Sequence, residues 1–324
     1  MKLATLRDGT PDGELVVISR DLCRAISCRP VARTLQEALE RWSEVAAPLE
    51  LLSAAAERGA DGTWDLVFES LAAPMPRAWQ WLDGSAFKSH GDLMATVFGM
   101  EKLPYEVPLM YQGMSHQFLA AHDDVPMASE DDGIDFEGEF GIIVDRVPAG
   151  ISSEQALQHI RLIVLINDWS LRVLAPIEMR TGFGWIQAKP ACSMAPIAVT
   201  PDELDKAWAD GRVHLPVRVS WNGAPFGRPQ GSAMAFGFHN LVAHAARTRE
   251  LCAGTIIGSG TVSNENYREV GSTCIAERRG IEMIDHGKAS TPFMRFGDRV
   301  RMEANDSKGI SVFGPIDQRV IRRS

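Results

Sequence analysis

The feature that most limits the fold is a succession of short apolar, β-branched runs beyond residue 76: 138–144, 160–166, 197–200, 215–221, 255–257, 299–303 and 311–315. Each has the length of a strand and is bounded by turn-forming residues. Only two intervening stretches, 153–159 and 238–250, read as helices. A doubly wound sheet needs regular alternation of strand and helix, so this order excludes it. It points instead to an α+β, strand-dominated architecture with a mixed sheet.

The N-terminal part reads differently. Residues 3–19 form a hairpin about the turn 8–13, and Thr34 with Glu37 makes a capping-box pattern ahead of an apolar stripe, Leu35, Ala38, Leu39, Trp42, Val45 and Ala46. Pro48 is expected to end or kink that helix, with a second helical stretch at 49–57 stopping near Gly59. A short strand at 64–68 precedes Ala73-Pro74-Met75-Pro76, where the reading places a boundary. The expected division is a small α+β N-terminal domain, 1–75, and a larger domain, 76–324.

Charge and composition exclude several roles. The 324-residue chain carries 33 Lys and Arg against 42 Asp and Glu, a formal net charge of −9. That sign opposes nucleic-acid binding, which gains affinity by neutralising phosphates. The longest apolar runs, such as 162–166, are far below the ~20 residues that span a bilayer, so no membrane partner is expected. The first residues lack the apolar segment of a signal peptide, and a cytoplasmic location is the expectation. Five cysteines without a C-x-x-C pair indicate neither a disulfide framework nor a zinc site. Signatures for dinucleotides, P-loops, zincins and nucleophile elbows are missing, and Gly258-Ser259-Gly260 after an apolar strand reads as a turn.

The chemistry concentrates in carboxylates. In the segment 134–144, Glu137 and Glu139 stand two apart in an apolar strand and so face the same way, flanked by Phe136 and Phe140. Like charges on one face repel unless a cation lies between them. A second apolar strand, 162–166, ends at Asn167-Asp168-Trp169 and delivers a third carboxylate where the strand emerges. Oxygen donors without a Cys or His cluster suit Mg²⁺, Ca²⁺ or Mn²⁺. The same spacing also suits a solvated strand face with Asp168 capping a turn, and spacing alone leaves both open.

The order of motifs from Asp83 to Glu277 resembles the fumarylacetoacetate hydrolase family. Glu137-Gly138-Glu139 is similar to that family's paired metal ligands, and Asn167-Asp168-Trp169-Ser170-Leu171-Arg172 to its N-D-W-S-x-R motif. Asp83 and His90, seven apart, resemble its metal-binding Asp and catalytic His. Gln187-Ala188-Lys189-Pro190 resembles the substrate-binding lysine segment, and 258–263 the glycine-threonine turn. Tyr111 in Met110-Tyr111-Gln112-Gly113 resembles a substrate-contacting tyrosine, and Glu277 the partner of the catalytic His.

The resemblance implies a mixed β-roll catalytic domain, a homodimer, and a divalent cation, Mg²⁺ or Ca²⁺ with Mn²⁺ open, on Asp83, Glu137, Glu139 and Asp168. It implies His90, Glu277 and Lys189 as catalytic groups, with Tyr111, Arg172, Gln187, Lys189 and Thr261 binding substrate. The implied reaction is hydrolysis of a carbon–carbon bond in a small-molecule dioxo acid, foremost fumarylacetoacetate to fumarate and acetoacetate in aromatic amino-acid breakdown. An acylpyruvate or fumarylpyruvate hydrolase, an oxo-acid decarboxylase or isomerase, and a non-catalytic small-acid binding protein are the alternatives.

Overall fold

The computed structural model describes residues 1–99, 101 and 106–323. An 11-stranded sheet runs through both parts of the chain. From one edge its order is Thr63–Asp65, Arg24–Ser27, Glu14–Ile18, Lys2–Leu6, Ala198–Val199, Ile160–Asn167, Gly138–Val144, Ile256–Gly258, Trp81–Gly84 and Met110–Gly113, with Ser193–Met194 beside Ile160–Asn167. Its pairs are antiparallel except Ile256–Gly258 with Trp81–Gly84, which makes it mixed. A second sheet joins Ala224–Gly227, Arg218–Trp221, Arg299–Glu303, Ile316–Arg322 and Val125–Met127.

The central strands are largely apolar because both faces are buried. Phe140, Ile142, Val144, Ile163 and Leu165 enter one core cluster with Val219, Val300, Met302, Ile316 and Val320 of the second sheet. Their neighbours Ile143, Leu162, Val164 and Ile166 enter the other cluster, which Leu35, Leu39, Val45 and Leu49 share. Those four come from the helices Leu35–Glu40 and Trp42–Arg58. Each such side chain contributes about 1.5–3 kcal/mol on burial.

Several expectations are corrected. Thr34 does cap the first helix by accepting from the Glu37 N–H, but the break falls at Arg41, and the next helix runs through Pro48 to Gly59. The lost backbone bond at Pro48 is outweighed by burial of Val45, Leu49 and Ala56. The strand expected at 64–68 is Thr63–Asp65, followed by a 3₁₀ turn. The strand expected at 311–315 lies instead at Ile316–Arg322. Gly314 is left-handed at φ +71°, and Pro315 has no N–H for a ladder.

The larger part also holds helices that lacked a strong apolar stripe, among them Lys88–Phe98, Ala175–Thr181 and Ile275–His286. The first and last of these pack together where Gly280 lets them approach. A Cβ there would stand 2.9 Å from Met94 Cε and 3.1 Å from Val97 Cγ2.

Candidate active site

Three strands of the large sheet bring one carboxylate each to a common point. Asp83 lies in Trp81–Gly84, Glu139 in Gly138–Val144, and Asp168 directly after Ile160–Asn167. One oxygen from each lies within 4.8 Å of the others, and all three residues are buried. The strand between the first two has a glycine where they meet. A Cβ at Gly258 would stand 2.5 Å from Asp83 Oδ1, 3.0 Å from Glu139 Oε2 and 2.4 Å from Trp81 Cη2. Glycine is therefore the residue that leaves room for the carboxylates. The next turn is equally restricted: Gly260 is left-handed at φ +76°, and its N–H donates to Asp83 Oδ1 at 3.1 Å.

Crowding of charge is visible in the protonation of this group. Burial first, and Asp168 second, push Asp83 up to about 8. Burial, then Asp83 and Asp168, push Glu139 well above the ordinary carboxylate range. Neither Glu139 oxygen receives a hydrogen bond from a donor among the described residues. Two orphaned oxygens in a fully buried carboxylate, facing two more carboxylates, fit a hard divalent cation held by oxygen. Asp83, Glu139 and Asp168 are the residues that would hold it.

Glu137 shares the site but has different partners. Its Oε2 accepts from Lys189 Nζ at 2.9 Å, and its Oε1 accepts from Ser170 Oγ at 3.1 Å and from Arg172. Burial opposes its charge, yet Lys189, Arg172 and His90 together hold it well below the ordinary range. Of the four carboxylates expected to share a cation, Asp83, Glu139 and Asp168 converge on one point, and Glu137 is paired with Lys189 and Arg172. Lys189 also donates to Asp168 Oδ2 at 2.5 Å, and Tyr111 Oη to the same oxygen at 2.6 Å. Burial alone would lower the Lys189 pKa, but Asp168 and Glu137 keep it raised. Burial and Asp168 hold the Tyr111 phenol protonated.

The proposed base lies on the helix Lys88–Phe98 and its partner on Ile275–His286. His90 Nδ1 stands 3.5 Å from Glu277 Oε1, which also accepts from Ser263 Oγ at 2.5 Å. Glu277 is fully buried, while His90 keeps 19% of its side chain exposed. The packing of these two helices brings together residues far apart in the chain.

Asp135, two residues before Glu137, anchors the second helix. Its two oxygens accept from the N–H groups of Ile275 and Ala276 at 2.7 and 2.9 Å, and Oδ2 also accepts from Arg172 Nε at 2.7 Å. Arg172 thereby links that helix end to Glu137, and two arms of its guanidinium are committed to carboxylates rather than left for substrate. Cys192 and Trp185 are also new: the buried Cys192 thiol donates to Asp168 Oδ1 at 2.8 Å, and Trp185 packs edge-on to Tyr111 at 5.9 Å. Thr261 is buried just after the Gly260 turn. Gln187 is exposed, its backbone N–H donating to Glu178 at 2.8 Å.

A strand-built scaffold that buries charged groups around one point, beside a histidine–glutamate pair open on one side, is how an enzyme site is made. The chain belongs to the fumarylacetoacetate hydrolase family. Residues 80–321 match the fumarylacetoacetate hydrolase C-terminal domain, and residues 1–77 match fumarylacetoacetase N-terminal domain 2. Similar characterised proteins catalyse different reactions. A 2,4-didehydro-3-deoxy-L-rhamnonate hydrolase of Sphingomonas sp. (strain SKA58) is 26% identical over 48% of this chain and 52% of its own. An oxaloacetate tautomerase of Bacillus subtilis (strain 168) is 25% identical over 67% of this chain and 63% of its own. A fumarylacetoacetase of Caenorhabditis elegans is 25% identical over 57% and 51%. The chain thus spans between about half and under two thirds of the length of these relatives.

The fold is shared with solved structures over the whole chain. A maleylpyruvate hydrolase from Sphingobium sp. SYK-6, in complex with manganese(II) and pyruvate, superposes with a TM-score of 0.68 at 15% identity, covering 100% of both chains. A fumarylacetoacetate hydrolase from Exiguobacterium antarcticum gives 0.68 at 18%, also covering 100% of both. Among the described residues, no helix is long and apolar enough to cross a membrane.

Proposed function

We propose that the protein is a divalent-cation-dependent hydrolase that cleaves the carbon–carbon bond between the two carbonyls of a dioxo acid, with fumarylacetoacetate as substrate and fumarate and acetoacetate as products. The observation that carries this reading is the buried Asp83, Glu139 and Asp168 cluster beside the His90–Glu277 pair. A cation bound there supplies Lewis-acid stabilisation of negative charge developing on the substrate oxygens. The manganese complex of the maleylpyruvate hydrolase supports the cation, with Mg²⁺ and Ca²⁺ equally suited to oxygen donors.

His90 takes a proton from water, and Glu277 orients the imidazole and stabilises its positive form. The hydroxyl oxygen adds to the fumaryl carbonyl carbon, and the bond to the neighbouring carbon breaks. Its electron pair stays on the leaving acetoacetate as an enolate, whose carbon takes up the proton that His90 removed from water, returning the imidazole to its neutral form. Lys189 and Tyr111 hold Asp168 in place through both steps, and Lys189 keeps a positive charge in the buried site. Thr261 and the turn preceding it are proposed to bind the terminal carboxylate, with Gln187 at the rim.

The reading extends to a cytoplasmic homodimer acting on a small molecule in aromatic amino-acid breakdown. The exposed apolar residues Val173, Ile177, Met179, Phe183 and Ile186 support a subunit interface. Enolisation without bond cleavage is a second reading, favoured by the tautomerase that matches 67% of the chain. Both use a base beside an oxygen-binding cation. Purified protein is mixed with fumarylacetoacetate, acylpyruvates and oxaloacetate, with and without a chelator, and products are identified by chromatography. Chelator-sensitive release of fumarate and acetoacetate is expected. Keto–enol exchange alone, or turnover indifferent to the chelator, contradicts the proposal.

A further inference from the structure

A second concave site lies outside the carboxylate cluster, in a cleft of about 460 Å³ between the strands Arg218–Trp221 and Ala224–Gly227 and the start of the helix Ile275–His286. Five arginines line it, Arg218, Arg228, Arg268, Arg278 and Arg301, against two glutamates. In a chain of net charge −9 this is a local reversal of sign. Part of the charge is already committed: Arg268 pairs with Asp285 at 2.6 Å and Arg301 with Glu303 at 3.0 Å. Arg278 stacks over the Phe226 ring at 4.7 Å and donates to the Phe226 carbonyl. Among the described residues, no carboxylate comes within ion-pair distance of Arg218 or Arg228.

Two glycines are among the residues that line the cleft. Gly227 and Gly271 face each other in an isolated antiparallel bridge. A Cβ at Gly227 would stand 2.1 Å from the Ser272 carbonyl oxygen, and one at Gly271 would stand 2.5 Å from that of Phe226. Gly271 is also left-handed, at φ +74°. The two glycines therefore let these backbone segments run close together beside the guanidinium groups. Guanidinium forks match the oxygens of phosphate and carboxylate alike, and the volume lies in the range of small-molecule sites.

We propose that this cleft binds a small organic anion carrying two or more phosphate or carboxylate groups. The site is separate from the dioxo-acid site, and its test does not depend on catalysis. Metal-stripped full-length protein is titrated calorimetrically with pyrophosphate and with tricarballylate, at low and at physiological salt. Binding tighter than roughly millimolar is expected for one of them, weakening with salt. Which of the two binds more tightly tells a phosphate ligand from a carboxylate one.

In R218Q/R228Q, both residues being exposed and unpaired, the affinity is expected to fall about tenfold or more, with the circular-dichroism spectrum unchanged. R319Q, on an arginine away from the cleft, is expected to bind as the unaltered protein does. Equal affinity in R218Q/R228Q overturns the proposal. So does the absence of binding by either anion at roughly millimolar concentration.

Discussion

Replacing Gly258 by alanine adds one methyl group on the strand that lies between those carrying Asp83 and Glu139. The backbone of Gly258 lies outside the left-handed region, so the change tests space alone. The new Cβ would stand 2.4 Å from Trp81 Cη2 and 2.5 Å from Asp83 Oδ1, about 1 Å closer than an ordinary carbon contact of ~3.5 Å. Trp81 is buried, and Asp83 is already held by the Gly260 N–H, so neither yields freely. Overpacking of this kind costs about 1–3 kcal/mol of stability. A shift of about 1 Å at a reacting group costs on the order of 100-fold in rate. The expected result is a folded protein, destabilised by about 2 kcal/mol in urea, whose affinity for Mn²⁺ by calorimetry falls at least about tenfold. Unchanged Mn²⁺ affinity in G258A would refute the claim that this glycine makes room for the ligand carboxylates.

Other predictions separate the parts of the site. His90→Gln is expected to lower kcat by about 10²- to 10⁴-fold while leaving Mn²⁺ affinity as it was, and near-normal turnover would remove the base assignment. Asp135→Ala removes the anchor of the helix bearing Glu277 and leaves Arg172 with a missing partner, at a cost of about 3–5 kcal/mol in chemical denaturation. A loss under about 0.5 kcal/mol, typical of surface changes, would contradict that role. The raised pKa values of Asp83 and Glu139 set a pH dependence. A carboxyl with a raised folded pKa binds more protons folded than unfolded, so the metal-free protein loses stability from these groups as pH rises above about 4 towards 8. Added Mn²⁺ needs the ionised groups, and its stabilising shift in melting temperature is expected to be larger at pH 8 than at pH 6; equal shifts would show that these carboxylates do not bind it.

How legible each feature was in the sequence follows from how local its cause is. The strands Gly138–Val144 and Ile160–Asn167 announce themselves by the apolar runs 140–144 and 162–166, which burial on both faces requires, with Glu139 the charged exception in the first. Ile316–Arg322 is one-sided, with Asp317 and Arg319 pointing away from the core, so it shows alternation in place of the continuous apolar run that marks the central strands. The helices Lys88–Phe98 and Ile275–His286 lack a continuous apolar stripe, the first opening on Lys88-Ser89-His90 and the second carrying charged residues through its first two turns, and they pack on each other across Gly280. Of the residues named by motif order, Asp83, Glu139 and Asp168 converge, Glu137, Lys189, Tyr111 and Arg172 are joined by hydrogen bonds around Glu137 and Asp168, His90 faces Glu277, and Gln187 is at the surface. Asp135, Cys192 and Trp185 earn their places only through strands and turns distant in sequence. Alternation in strand 134–144 also places Glu137 and Glu139 on one side, but the cations that divide their roles come from Arg172 and Lys189, which no spacing reveals.

The central claim is that three strand-borne carboxylates hold one divalent cation. Crystals soaked in Mn²⁺ and measured at a wavelength where manganese scatters anomalously test it directly. A single strong peak within bonding distance of an oxygen from each of Asp83, Glu139 and Asp168 is predicted. A peak elsewhere, or none at this cluster under conditions where the enzyme turns over, would contradict it.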